Sequence, residues 1–141
     1  MDGHHAPADF VAVDWNGTVV PCFGLAPYAG ALRALEGLRE GGTAVMVVSC
    51  AQQPVIERDV QRLGLATDGV FGCADKEPVL LELSRSLGRG LMLGDHPADQ
   101  RAARSAGMRF LQARLDGQPS FAGSDGWFRS WREAALLMRY A

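Results

Sequence analysis

Apolar residues along this chain come in short unbroken runs, and between the runs they return at helical spacing. Phe10 to Trp15, Thr43 to Ser49 (TAVMVVS), Gly69 to Phe71, Gly90 to Gly94 (GLMLG) and Met108 to Ala113 are too short for helices. Each is predicted as a strand, and runs without polar alternation suit strands covered on both faces. Tyr28 to Arg39 carries Leu32, Leu35 and Leu38 on one helical face and stops at Gly41-Gly42. Gln52 to Leu63 is a second helix, with Pro54 tolerated in its first turn and Gly64 beyond its end. Further helices are predicted over Glu77 to Leu87, Pro97 to Ala106 and Trp127 to Tyr140. Strands that alternate with helices imply a three-layer α/β sandwich around a Rossmann-like parallel sheet of about five strands. No repeat, linker or low-complexity segment interrupts the pattern, so residues 1–141 are expected to form a single domain. Residues 1–8 are its frayed end, where His4 and His5 need no ligand to explain them.

Composition narrows the function classes. With 14 Lys plus Arg against 16 Asp plus Glu, the net charge of −2 lacks the basic footprint of phosphate-backbone binding, so nucleic acid is not an expected partner. No stretch reaches the ~18–20 apolar residues of a membrane span, and the start carries no signal-peptide pattern, so a cytoplasmic location is expected. Three cysteines, Cys22, Cys50 and Cys73, are an odd number without CxxC spacing and read as free thiols. Of the 14 basic residues only Lys76 is a lysine, which singles out its ammonium.

The informative polar residues follow the predicted strands. In open α/β sheets ligands bind beyond the carboxyl ends of the strands. Those ends deliver Asp14, Asn16 and Thr18; Ser49 and Cys50; Asp75 and Lys76; and Asp95, His96 and Asp99. Three clustered carboxylates, Asp14, Asp95 and Asp99, repel one another unless a hard cation sits among them, and an oxygen donor set suits Mg²⁺. Ser49, the backbone amides beside it at Cys50 and the Lys76 ammonium suit a phosphoryl group. Asp14 as a carboxylate nucleophile would split one displacement into two through an aspartyl-phosphate. The chemistry implied is phosphoryl transfer to water.

Four segments in this order, DWNGT (14–18), Ser49 closing VMVVS, Lys76 opening a helix, and GDHPAD (94–99) followed by RAARSAGM, resemble the motifs of the haloacid dehalogenase (HAD) superfamily. The likeness runs from about Phe10 to Ala113. It implies Asp14 as nucleophile and metal ligand, the carbonyl of Asn16 as second ligand, and Asp95 as a further one. Asp99 would support the metal waters or the lysine, and Thr18 would orient the first loop. Ser49 with Cys50 would bind phosphate, and Lys76 would fix both phosphate and nucleophile. A response-regulator receiver also uses Asp, Ser or Thr, and Lys in succession, but its acidic pair precedes the phospho-acceptor, whereas Asp95 and Asp99 follow Lys76 here.

The chain departs from the usual HAD phosphatase at Asn16, where a second aspartate would protonate the leaving group and activate water. General acid-base catalysis contributes ~10²–10⁴-fold, so the resemblance implies either a Mg²⁺-dependent phosphohydrolase of reduced activity or a weakened domain that binds or assembles. His96 is a candidate substitute acid by virtue of its near-neutral titration. The intervals 18–43 and 50–75 leave no room for a cap domain, and an open, capless site implies a large substrate or a homo-oligomer whose neighbour closes it. The expected substrate is a phosphorylated small metabolite, with a phosphoprotein as the other choice. Trp127, Phe128, Trp131 and Leu137 form an aromatic-rich patch on the expected last helix, read as packing on the sheet or as a dimer interface. The cysteines read as small buried hydrophobes, with a redox or metal role as the alternative. Arg101, Arg104 and Arg109 read as solvated or ion-paired surface.

Overall fold

A computed structural model describes residues 8–140. Six parallel strands form its one sheet: β1 (Phe10–Val13), β2 (Ala44–Ser49), β3 (Gly69–Gly72), β4 (Gly90–Gly94), β5 (Arg109–Ala113) and β6 (Gly126–Phe128). Five helices connect them: α1 (Ala31–Glu40), α2 (Gln53–Leu63), α3 (Lys76–Leu87), α4 (Pro97–Ser105) and α5 (Trp131–Tyr140). The strand order is β3-β2-β1-β4-β5-β6. This doubly wound order reverses direction between β1 and β4, and such a switch point opens a crevice at the strands' carboxyl ends. Asp14 and Asp95 follow those two strands.

Both faces of the sheet are covered, which is why the strands carry no polar alternation. Val11, Val13, Val45, Val47, Leu91 and Leu93 face Leu35 of α1, Ile56 and Val60 of α2, and Trp131 and Ala134 of α5. On the other face Phe10, Ala12, Met46, Val48, Met92 and Phe110 meet Leu80 and Leu83 of α3 and Ala102 and Ala103 of α4. The three-layer expectation holds, with six strands in place of about five.

The sixth strand changes the reading of the tail. Trp127 and Phe128 belong to β6, paired with Gln112 and Ala113 of β5, and the last helix begins at Trp131 instead of Trp127. Aromatic residues at 127, 128 and 131 imitate helical spacing, but the helix start is set by Ser130 and Glu133. The Glu133 amide donates to Ser130 Oγ at 3.1 Å, and the Glu133 carboxylate accepts from the Arg129 amide at 2.6 Å. This is a Ser-x-x-Glu cap in which the Glu reaches the amide one residue before the serine, in place of the serine's own. Phe128 and Trp131 are buried against each other, with ring centroids 5.5 Å apart. Trp127 stays 42% exposed, and the guanidiniums of Arg114 and Arg129 stack on it at 4.3 and 5.0 Å.

The expected frayed start at residues 1–7, with His4 and His5, lies outside the described residues. Ala8 is half-buried, and its carbonyl accepts from Thr43 Oγ1 at 3.3 Å. Among the described residues no helix is long and apolar enough to cross a membrane. The segment between β1 and α1 adds no further layer, and that between Cys50 and Asp75 contains only α2 and β3.

Candidate active site

The site begins where β1 ends. The Asp14 amide continues the ladder by donating to the Leu93 carbonyl of β4 at 2.9 Å. The chain then folds back in a tight turn: the amides of Thr18, Val19 and Val20 all donate to the Trp15 carbonyl, and the Gly17 amide donates to the Val20 carbonyl at 2.7 Å. Gly17 makes the turn at φ +82°, and a Cβ there would run into the Asp95 carboxylate. Only glycine meets both demands.

Lys76 is the first residue of α3, and Asp75 caps that helix by accepting from the Glu77 amide at 3.0 Å. The Lys76 ammonium is 6% exposed and donates to Asp14 Oδ1 and Asp99 Oδ1, each at 2.7 Å. Asp99 sits in the first turn of α4 and also accepts from the His96 amide through Oδ2 at 3.3 Å. Gly94 clears its place, since a Cβ there would overlap the Asp99 carboxylate. His96 caps α4, its Nδ1 accepting from the Ala98 amide at 3.0 Å. That bond needs an unprotonated Nδ1, which explains His96 as a helix cap.

Asp14, Asp95 and Asp99 present carboxylate oxygens that all lie within 4.8 Å of one another. One ammonium cannot neutralise three clustered carboxylates, two of them buried, and their titration reflects this. Burial pushes Asp14 up to about 6, although Lys76 pulls it back, and Asp95 adds to the rise. Burial also raises Asp95 and Asp99, with the charge of Asp99 adding to the first and that of Asp14 to the second. Burial alone would lower Lys76, but the two carboxylates override it and hold the ammonium well above the ordinary lysine range. An all-oxygen, over-acidic set with one Asp14 oxygen not taken by Lys76 fits a hard divalent cation. Asn16 Oδ1 and Thr18 Oγ1, in the same loop, are buried without a hydrogen-bond partner, a pattern that a bound ion, water or substrate resolves.

Ser49 is buried at the carboxyl end of β2, next to exposed Cys50, and its carbonyl accepts from the Cys73 amide at 3.0 Å. The structure thus brings Asp14, Lys76, Asp95 and Asp99 into one cluster at the switch point, with Ser49 at the end of β2 and Asn16, Thr18 and Cys50 on the loops at the same sheet edge. Arg109 starts β5 and lies at the opposite end; Arg104 is exposed and donates to the Gly123 carbonyl.

Three supports are not evident from the motifs. Asp59, buried on α2, accepts from the Trp15 indole at 2.7 Å, the Gly24 amide at 3.1 Å and Arg62 at 2.8 Å. Its signal is a carboxylate in the apolar stripe Ile56, Asp59, Val60. Trp131 donates its indole N–H to the Thr18 carbonyl at 2.9 Å. Gln53 brackets β3 by donating to the Val70 carbonyl and accepting from the Gly72 amide.

No protein-family model matches the chain, and no curated protein does. Solved structures do. A HAD-superfamily hydrolase of Geobacter sulfurreducens superposes with a TM-score of 0.76 at 13% identity, over 98% of this chain and 100% of that one. The cobalt-bound deoxy-D-mannose-octulosonate 8-phosphate phosphatase of Haemophilus influenzae gives 0.74 at 17%, over 94% and 87%. The 3-deoxy-D-manno-octulosonate 8-phosphate phosphatase of Moraxella catarrhalis, in complex with magnesium and phosphate ions, gives 0.71 at 21%, over 93% and 85%. The chain has the fold of the HAD hydrolases, as its motifs imply.

Proposed function

We propose that this protein is a divalent-metal-dependent phosphohydrolase that moves the phosphoryl group of a phosphorylated small molecule to water through Asp14. The observation that carries the reading is the Lys76 ammonium, bridged at 2.7 Å to both Asp14 and Asp99 in the cluster that also holds Asp95. Lys76 orients Asp14 Oδ1 for attack and leaves the other Asp14 oxygen for the cation. Asp14, Asp95 and the carbonyl of Asn16 would hold Mg²⁺, which when bound withdraws charge from the phosphoryl oxygens; Asp99 would support the metal waters or Lys76. Ser49, the amides at Cys50 and Lys76 hold the phosphoryl group, and Thr18 fixes the first loop. A carboxylate oxygen of Asp14 attacks phosphorus as the bond to the leaving oxygen breaks, and water then cleaves the acyl phosphate. The leaving oxygen takes its proton from solvent, because the Asn16 amide has none to give.

Two phosphatases of sugar-acid phosphates share the fold, which supports a small phosphorylated metabolite as substrate. A capless single domain leaves the site open, and the three free thiols fit a reducing compartment such as the cytoplasm. Asn16 favours a second reading: a weakened domain that binds phosphate or a partner. Hydrolysis of p-nitrophenyl phosphate and a panel of phosphorylated metabolites, with and without Mg²⁺, decides between them. Metal-dependent release that disappears in Asp14→Asn supports the enzyme. Folded protein that releases phosphate from nothing supports the binding reading.

A further inference from the structure

Cys50 and Cys73 are the residues that immediately follow the neighbouring strands β2 and β3. β2 and β3 run parallel, their last register pair is Ser49 with Gly72, and each cysteine is the next residue beyond that pair, where the Cys73 amide still donates to the Ser49 carbonyl at 3.0 Å. Neighbouring strands lie about 4.8 Å apart, inside the roughly 4.4–6.8 Å that disulfide-linked Cα atoms span. The thiols also reach toward each other's strand: Cys50 Sγ contacts the Ala74 carbonyl at 4.0 Å, and Cys73 Sγ contacts the Ser49 carbonyl at 3.7 Å. Burial raises the Cys73 thiol, and the charge of Cys50 adds to that rise. Cys22, in the loop before α1, has no such partner cysteine in register.

We infer that Cys50 and Cys73 form a reversible disulfide across the β2–β3 gap and that it closes the phosphoryl site. Cys50 is exposed and Cys73 half-buried, which sets the order of events. The Cys50 thiolate attacks a low-molecular-weight disulfide such as glutathione disulfide, forming a mixed disulfide and releasing one thiol. The Cys73 thiolate then attacks the Cys50 sulfur and expels the second thiol. Two protein thiols are oxidised, one external disulfide is reduced to two thiols, and the two cysteine protons leave with them. The new bond must draw both sulfurs off their carbonyls, and it ties the Ser49–Cys50 turn to the segment leading into Lys76. Control of turnover rests on the phosphohydrolase reading; formation of the disulfide does not.

The test treats reduced protein with glutathione disulfide, blocks remaining thiols with iodoacetamide and digests it without reduction. Arg58 and Arg62 lie between the two cysteines, so trypsin places them on different peptides. The expected result is an intact mass lower by two hydrogens, a peptide pair linked through Cys50 and Cys73, and alkylated Cys22. A glutathione adduct on Cys50 beside an alkylated Cys73, or linkage to Cys22, overturns the proposal. Cys73→Ala should keep the basal rate and stop at the Cys50 adduct. In the linked form, hydrolysis of p-nitrophenyl phosphate should fall at least tenfold and return with dithiothreitol; an unchanged rate overturns the gating. If the reduced protein hydrolyses nothing, the phosphohydrolase reading fails, while the linked peptide still decides the disulfide.

Discussion

The indole N–H of Trp15 donates to Oδ2 of Asp59 at 2.7 Å, tying the residue after the Asp14 carboxylate to a buried acid 44 positions along the chain. The same carboxylate accepts the Gly24 amide, and Arg62, which it also binds, donates to the Leu25 carbonyl at 2.8 Å. Asp59 therefore clamps both ends of the loop that leaves β1. Asp59→Ala strips the partner from a fully buried indole N–H, which costs about 1–3 kcal/mol, and it frees the 22–25 segment. Urea unfolding should show that loss, and Asp59→Asn, which keeps an acceptor for the indole, should recover part of it. Equal stability of Asp59→Ala and wild type would show that the clamp carries no load.

Asp59 also sets an acid limit. Burial pushes its carboxyl up, but hydrogen bonds from Arg62, Trp15 and Gly24 override this and hold it below the ordinary aspartate range. Its contribution is complete above the unfolded value near 3.8 and is lost as pH falls through the lower folded value.

The site carboxylates act in the opposite sense. Asp14 is held near 6 in the folded protein against 3.8 for the ordinary group, and Asp95 and Asp99 are raised with it. The unfolded chain therefore releases these protons first, so the metal-free protein loses stability as pH rises from about 4 to 6 and stays at the lower level beyond. For Asp14 the loss is about 3 kcal/mol. Asp14→Asn should flatten this step and raise the metal-free melting temperature at pH 8. Mg²⁺ should raise the wild-type melting temperature at pH 8 more than at pH 4.5. A metal-free melting temperature that climbs between pH 4 and 6 would contradict the charge balance described for the cluster.

Lys76 is the counterweight in that cluster. Removing one partner of a buried ion pair costs about 3–5 kcal/mol, because the other charges remain in place. Lys76→Ala should therefore destabilise the metal-free protein at pH 8 and less at pH 4.5, where Asp14, held near 6, is protonated. Calorimetry at the two pH values separates this from a packing defect, which would cost the same at both.

Much of this arrangement is legible in the sequence because the groups that do chemistry follow the strands that hold them. Asp14 closes an unbroken apolar run and Asp95 closes another, so the parallel sheet and its reactive edge emerge together. β6 is hidden because three residues carry too little pattern, and because Trp127 and Phe128 stand three to four positions from Trp131 and so imitate a helix face. The Ser130-x-x-Glu133 pattern marks the true start. Asp59 and Trp131 act on the first loop across 44 and 113 positions. Such contacts follow from packing, and no local spacing encodes them. The pairing of Cys50 with Cys73 likewise requires the β2–β3 register.

Asn16 carries the last prediction. Its side-chain oxygen is buried without a partner, in the loop fixed by Gly17, and the neighbouring candidate acid, His96, has Nδ1 committed to the α4 cap. With an amide where the first loop would otherwise present a carboxyl, turnover should favour good leaving groups. The wild-type rate on p-nitrophenyl phosphate should exceed that on sugar phosphates by a wide margin. Asn16→Asp changes one amide to a carboxyl of the same shape and supplies the missing acid and base. Because acid-base catalysis contributes ~10²–10⁴-fold, the variant should gain most on poor leaving groups and little on p-nitrophenyl phosphate. It should also acquire a basic limb in its pH–rate profile that wild type lacks. An equal gain on both substrates would point to repositioning of the loop instead. No gain on either, with Mg²⁺ binding intact, would mean that the site holds phosphate without being arranged to release it, and would favour the binding reading over the catalytic one.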